Sequence, residues 1–163
     1  MKILLAGSIL IAVTIAACST SSESPSDIAS LKKTADIAAI DQIEVTWHKA
    51  ATTKNVDLFM SLWADDAVWT VGGRNLIGKA QIRNFVVRTA APFQLANHWI
   101  SETPAYKIRT TVHEGRGTLY FECHYADIKT RQIKVVIALD GKVARIKGHW
   151  LLTNAVNGAA SLN

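Results

Sequence analysis

The stretch Leu62-Trp63-Ala64-Asp65-Asp66-Ala67-Val68-Trp69-Thr70-Val71-Gly72-Gly73 changes its period in the middle, and the rest of the chain can be read outward from that change. Before it, Leu58, Phe59 and Leu62 fall on one face of a helical turn behind Asn55. A short polar side chain at that point accepts from the N–H groups of a helix start, so a helix over Val56 to Trp63 is expected. Asp65 and Asp66 are expected to end it. Ala67 to Val71 then alternates as a short strand and Gly72-Gly73 is a turn. Gly78-Lys79 opens a third helix through Ile82, Phe85 and Val86. It stops near Pro92, because the residue before a proline is pushed out of helical conformation.

Toward the N-terminus, Ile37, Ile40, Ile43, Trp47 and Ala51 recur at helical spacing within Leu31 to Ala51, which predicts a long amphipathic first helix. Toward the C-terminus the period becomes two. Strands are expected at Leu95 to Glu102, Tyr106 to His113, Thr118 to Ile128, Gln132 to Leu139 and Lys142 to Thr153. Glu114-Gly115-Arg116-Gly117 and Asp140-Gly141 are expected as the turns, Asp-Gly being a strong two-residue hairpin signal. Helices followed by an antiparallel meander give an α+β domain, a curved antiparallel sheet covered by three N-terminal helices. Alternation places Leu119, Phe121, Cys123 and Tyr125 in one row and Tyr120, Glu122 and His124 in the other. On the last strand it groups Ala144, Ile146, Gly148, Trp150 and Leu152 against Arg145, Lys147 and His149.

The first residues have a different character. Lys2, an apolar run from Ile3 to Ala17 and small residues at Ala16 and Ala17 outline a secretory signal, and the run is too short to remain as a spanning helix. Ser19 to Ser26 is a polar tether with nothing to bury. The expected divisions are therefore 1–17 signal, 18–30 tether, 31–156 domain and 157–163 tail. What remains after cleavage is the size of one domain. Two cysteines, Cys18 and Cys123, build no disulfide framework, and Cys123 sits in a strand row where a small buried residue is expected. The net charge of +5 is modest and scattered, without basic runs interleaved with aromatics, so no nucleic-acid partner is expected. Lys129, Arg131, Lys134, Lys142, Arg145 and Lys147 concentrate in the last hairpin and are read as its solvated face.

Ile15-Ala16-Ala17-Cys18 resembles the lipobox of bacterial lipoproteins. That resemblance implies a lipidated Cys18, palmitate among its acyl chains, and a membrane anchor in the bacterial cell envelope. Ser19, where Asp would retain the protein at the inner membrane, implies the outer membrane facing the periplasm. The other reading is an ordinary secreted protein with a cysteine near its cleavage site. From Ala35 to Asn154 the chain resembles the SnoaL-like branch of the nuclear transport factor 2-like superfamily. The similarity lies in the stretch from Leu62 to Gly73 with Gly78-Lys79, and in Leu139-Asp140-Gly141-Lys142-Val143-Ala144-Arg145-Ile146, similar to the family's final hairpin. The resemblance implies a cone with an apolar pocket, often in a homodimer. Trp47, Trp69, Trp99, Tyr125 and Trp150 are then candidate ligand-binding residues, although ordinary core packing has the same composition.

Catalysis differs among members of this superfamily, so each position counts separately. Ketosteroid isomerases use an aspartate base with a tyrosine and a protonated aspartic acid. Here the base position falls on Val71 and the tyrosine position on Trp47, which disfavours that chemistry. Dehydratase and dehydrochlorinase members pair a pocket histidine with an aspartate of the first helix. His98 lies near the histidine position and is the candidate catalytic residue, but the aspartate position falls near Thr52. Asp41, Glu44 and His48 share a stripe of the first helix from which a carboxylate could orient His98. The plainer reading is an exposed polar face with a Glu44–His48 pair. The histidines lack zinc-site spacing, so no metal is expected, and no cofactor fingerprint is present, so no cofactor either. The expected function is a lipid-anchored domain that binds a small apolar ligand or serves to dimerise. The alternative is a cofactor-independent lyase or isomerase acting through His98.

Overall fold

The structure, a computed structural model, describes residues 24–103 and 107–161. The expected signal segment, Cys18 and Ser19 lie outside these residues. Helix α1 spans Pro25–Thr53 and begins six residues before the expected start. Ser24 accepts from the Asp27 N–H while the Asp27 carboxylate accepts from the Ser24 N–H, a reciprocal cap, and proline follows at the first helical position. Part of the expected tether is therefore helical. The first buried residue of α1 is Ile40, and from there Ile43, Trp47, Ala50 and Ala51 face the core. Lys54 adopts a left-handed conformation that ends α1, and the Asn55 side chain accepts from the Leu58 N–H (2.9 Å) to cap α2, Val56–Met60.

Asp65 and Asp66 do not end a helix. Strand β1 runs Trp63–Val71, and its pairing slips between Trp63 and Val68, so both aspartates sit exposed on the irregular segment. Gly72-Gly73 turns the chain into β2, Arg74–Ile77, a strand not anticipated from the sequence. Helix α3, Gly78–Arg88, packs Ile82 and Val86 inward, and a single 3₁₀ turn, Ala91–Phe93, follows. The remaining strands are β3 Trp99–Glu102, β4 Arg109–His113, β5 Arg116–Asp127, β6 Gln132–Ile146 and β7 His149–Ser161.

The class is α+β, three helices on a curved sheet ordered β2-β1-β7-β6-β5-β3, with β4 also on β5. The sheet is mixed, not wholly antiparallel. Strand β7 enters between β6 and β1 and runs parallel to β1. Asp140-Gly141 is not a turn. Both lie inside the fifteen-residue β6, opposite Tyr120 and Leu119 on one side and Val156 and Ala155 on the other. A side chain at Gly141 would meet Leu152 Cδ2 at 2.8 Å and Leu139 Cδ2 at 3.1 Å, so glycine is there for close approach. The reversal comes at Lys147-Gly148, both with positive φ, between the paired residues Ile146 and His149.

Moving the turn changes the faces. Arg145 and Trp150, expected on opposite sides, are cross-strand partners that both reach Asp36 of α1, from Arg145 Nη1 (3.2 Å) and Trp150 Nε1 (3.1 Å). Strand β7 also continues past Thr153 and past residue 156, where the domain was expected to end. The core is aromatic. Trp47 packs edge-on against Phe59 (centroids 4.6 Å apart) and Phe121 (5.6 Å), an arrangement that adds about 0.5–1.5 kcal/mol per pair beyond burial.

Candidate ligand-binding site

At one end of the sheet the core is incomplete. The inner face of the curved sheet contributes Trp69 and Val71 from β1, Trp99 from β3, Tyr125 from β5 and Val135 and Ile137 from β6. Trp47 of α1, Phe85 of α3 and Phe93 of the 3₁₀ turn close the other side, leaving a cavity of about 350 Å3. That is within the range of small-molecule sites. Four of the five aromatics expected from the sequence thus meet at one cavity. Trp150 does not. It lies at the far end of the sheet beside the Lys147-Gly148 turn, bonded to Asp36 in an open cleft between α1 and that hairpin.

The polar atoms of the lining are largely engaged. Trp47 Nε1 donates to the Tyr125 hydroxyl at 3.0 Å, and Trp69 Nε1 donates to Asn157 Oδ1 at 2.9 Å. Burial pushes the Tyr125 hydroxyl well above its ordinary pKa, so it stays protonated. Lys54 braces the segment beside the mouth by donating to the carbonyls of Pro92 (2.6 Å) and Trp99 (2.9 Å), and partial burial lowers its pKa. Among the described residues the lining holds no carboxylate and no imidazole.

His98, the expected catalytic residue, is exposed just before β3 and does not line the cavity. Its carbonyl accepts from the Ile128 N–H (3.1 Å), which makes it a strand-edge residue. Thr52, at the position of the dyad's aspartate, accepts from the Ser101 N–H (2.9 Å) and so anchors β3. The polar stripe of α1 is likewise not an exposed face. Strands β3 and β4 cover it, leaving Glu44 and His48 6% and 8% exposed. His48 Nε2 lies 2.8 Å from Glu44 Oε1 and also contacts the Thr103 hydroxyl, while Nδ1 is 2.5 Å from Ser101 Oγ. Thr103 spends its proton on the Glu122 carbonyl (2.8 Å), so its oxygen accepts from Nε2–H. Asp41 accepts from the Thr110 hydroxyl. The stripe fastens the helix to the sheet and supplies no acid to His98.

Lys134, Asn157, Phe85 and Phe93 belong to the cavity and were not foreseen. Phe85 read as a helix apolar, Phe93 was not singled out, and Asn157 fell in the expected tail. Lys134 read as part of a solvated basic face. Of that face, Arg145 stays exposed while reaching Asp36 of α1. Among the described residues there is no group of three metal-ligating side chains.

Three helices closing a curved mixed sheet around an aromatic cavity define the nuclear transport factor 2-like class. Within it, the chain belongs to the SnoaL-like domain family, which matches residues 32–155. Solved structures with the same fold include an NTF2-like protein with a cystatin-like fold from Novosphingobium aromaticivorans (TM-score 0.70, 15% identity, 83% of this chain and 89% of that one). A protein of unknown function from Nostoc punctiforme is similar at TM-score 0.68 and 13% identity, over 77% of this chain and 92% of that one. A hexachlorocyclohexane dehydrochlorinase, LinA type 2, is similar at TM-score 0.62 and 17% identity, over 82% and 93%. At these identities the likeness is one of fold. Among curated protein sequences none is significantly similar to this chain.

Proposed function

We propose that the protein is a lipid-anchored envelope protein of bacteria whose SnoaL-like domain holds a small, largely apolar molecule in its aromatic cavity. The observation that carries the binding reading is the lining itself. Trp47, Trp69, Trp99 and Tyr125 surround about 350 Å3 with no carboxylate or imidazole among them. Aromatic walls bind rings and alkyl chains through burial and edge or face contacts, with little demand for polar partners. The dehydratase-type alternative draws support from the fold of LinA, but it needs a proton acceptor inside the cavity, and exposed His98 is outside. Binding is therefore the reading kept.

The test is titration of the domain with a panel of small aromatic compounds, followed by tryptophan fluorescence. Saturable quenching is expected, and it should vanish in Ile137→Trp, which fills the cavity, while the circular dichroism of the fold persists. A panel without any saturable binder would overturn the reading.

The anchor is supported by Lys2, the apolar run and Ile15-Ala16-Ala17-Cys18. Among the described residues no helix is long and apolar enough to cross a membrane, which is compatible with attachment by lipid. Palmitate labelling in a bacterial host should mark the protein, and Cys18→Ser should abolish the label and move the chain to the soluble fraction. Ser19→Asp should shift it from outer to inner membrane. An unlabelled, soluble wild-type chain would leave a secreted protein instead. A second copy of the chain is the partner the fold suggests. Exposed Ile133 and Val156 on the outer face of the sheet support it, and sedimentation giving monomer mass would remove it.

A further inference from the structure

We propose that the cavity selects a ligand that carries an anion, a carboxylate on an otherwise aromatic or apolar body, and that Lys134 is the residue that reads it. This rests on the binding function proposed above and narrows its ligand class. The observation behind it is an irregularity in the β5–β6 ladder. Tyr125 pairs with Val135 and Ala126 pairs with Ile133, so Lys134 is an extra residue without a partner on β5. In a regular strand Lys134 and Val135 would point to opposite faces. At this bulge both line the cavity, the usual effect of a bulge being to re-aim a side chain.

The chemistry of the lining favours an acceptor in the ligand. Among the described residues Lys134 is the charged one that lines the cavity. Its ammonium donates to the neutral Gln132 Oε1 at 3.2 Å in an exposed contact, and although its charge helps to hold nearby Asp127 ionised, an ammonium carries two further protons for a ligand. The nearby Asp127 carboxylate is turned into the β5–β6 turn, where it accepts from the N–H groups of Lys129 (2.8 Å) and Thr130 (3.1 Å). Two side-chain acceptors of the lining are already engaged. Tyr125 accepts from Trp47, and Asn157 Oδ1 accepts from Trp69, so that the amide of Asn157 keeps only N–H groups to offer. Tyr125 is adjacent to Val135 across the ladder, and its ring centroid is 6.4 Å from that of Trp99. A planar ring beside Trp99 and Tyr125 would carry its carboxylate toward Lys134.

The experiment compares 2-naphthoate with neutral 2-naphthylmethanol by calorimetric titration of the wild-type protein, Lys134→Met, Lys134→Arg and Lys142→Met, the last a control for net charge. Wild type and Lys142→Met should bind the carboxylate about tenfold tighter than the alcohol, the scale of a charge-assisted hydrogen bond. Lys134→Met should lose that preference with its affinity for the alcohol intact, and Lys134→Arg should retain it. Equal affinity of wild type for both compounds, or an unchanged preference in Lys134→Met, overturns the role of Lys134 and leaves the binding cavity standing. If neither compound binds any variant, the cavity reading falls and this inference falls with it.

Discussion

Tyr125 shows how one residue does two things in this domain. Its ring lines the cavity and its hydroxyl accepts the proton of buried Trp47 Nε1. Tyr125→Phe should cost about 1–3 kcal/mol in denaturant unfolding, because the indole N–H is left buried without an acceptor. A loss below a few tenths would mean that water replaces the hydroxyl. Two residues back in the same row, Cys123 is fully buried, and that burial pushes its thiol far above the ordinary range. In a Cys18→Ser chain, a disulfide reagent should react with Cys123 only after denaturation. Reaction at native rates typical of a free thiol would contradict the packing. The row Leu119, Phe121, Cys123, Tyr125 was legible because alternation alone assigns a face. The burial of Glu44 and His48 was not. It depends on β3 and β4, more than fifty residues away in sequence, lying across α1, and no local pattern encodes that cover.

At the scale of elements, the sequence was most misleading where glycine has two uses. Asp140-Gly141 carries the hairpin signature, yet the chain runs straight through it and turns at Lys147-Gly148. Gly141→Ala distinguishes the two roles. A glycine in an exposed turn tolerates local adjustment, whereas here buried Leu139 and Leu152 must move, at about 1–3 kcal/mol. A chemical-denaturation midpoint matching wild type would refute that close approach. Strand β5 also carries two carboxylates whose neighbours favour the charged form. The Tyr120 hydroxyl (2.8 Å) and then the Lys107 ammonium (3.1 Å) hold the Glu122 carboxyl below its ordinary pKa, and the Thr130 N–H does so for Asp127. Groups with depressed folded-state values stabilise the fold fully above the ordinary carboxylate range, and that contribution is lost as pH falls through the lowered values. The melting temperature should therefore decline below about pH 4.5. A Glu122→Gln/Asp127→Asn variant should show a shallower decline, and an identical slope would assign the acid sensitivity elsewhere. Helix α1, the Asn55 cap and the long β5 followed from periodicity and capping chemistry. The bulge that carries Lys134 did not, since an extra residue in a ladder leaves no mark on a single strand's alternation.

For the whole molecule, the α+β order and most of the cavity's aromatics could be anticipated, because helices preceded strands and large rings sat on apolar faces. The mixed sheet could not, since only tertiary pairing decides which neighbour a strand takes. Its consequence concerns how the chain is made. Strand β1 finds its inner neighbour in β7, which also pairs with β6 from Val135 to Ile146 and seats Leu152 in the core. A chain ending before His149 should consequently show no cooperative unfolding transition, and a sharp transition in that truncation would disprove the dependence. During synthesis from the ribosome, therefore, the central seam of the sheet cannot close until His149–Ser161 has emerged. Until then the growing polypeptide lacks the strand that seats Leu152 and Ala155 in its interior, and its two halves have no seam to join them.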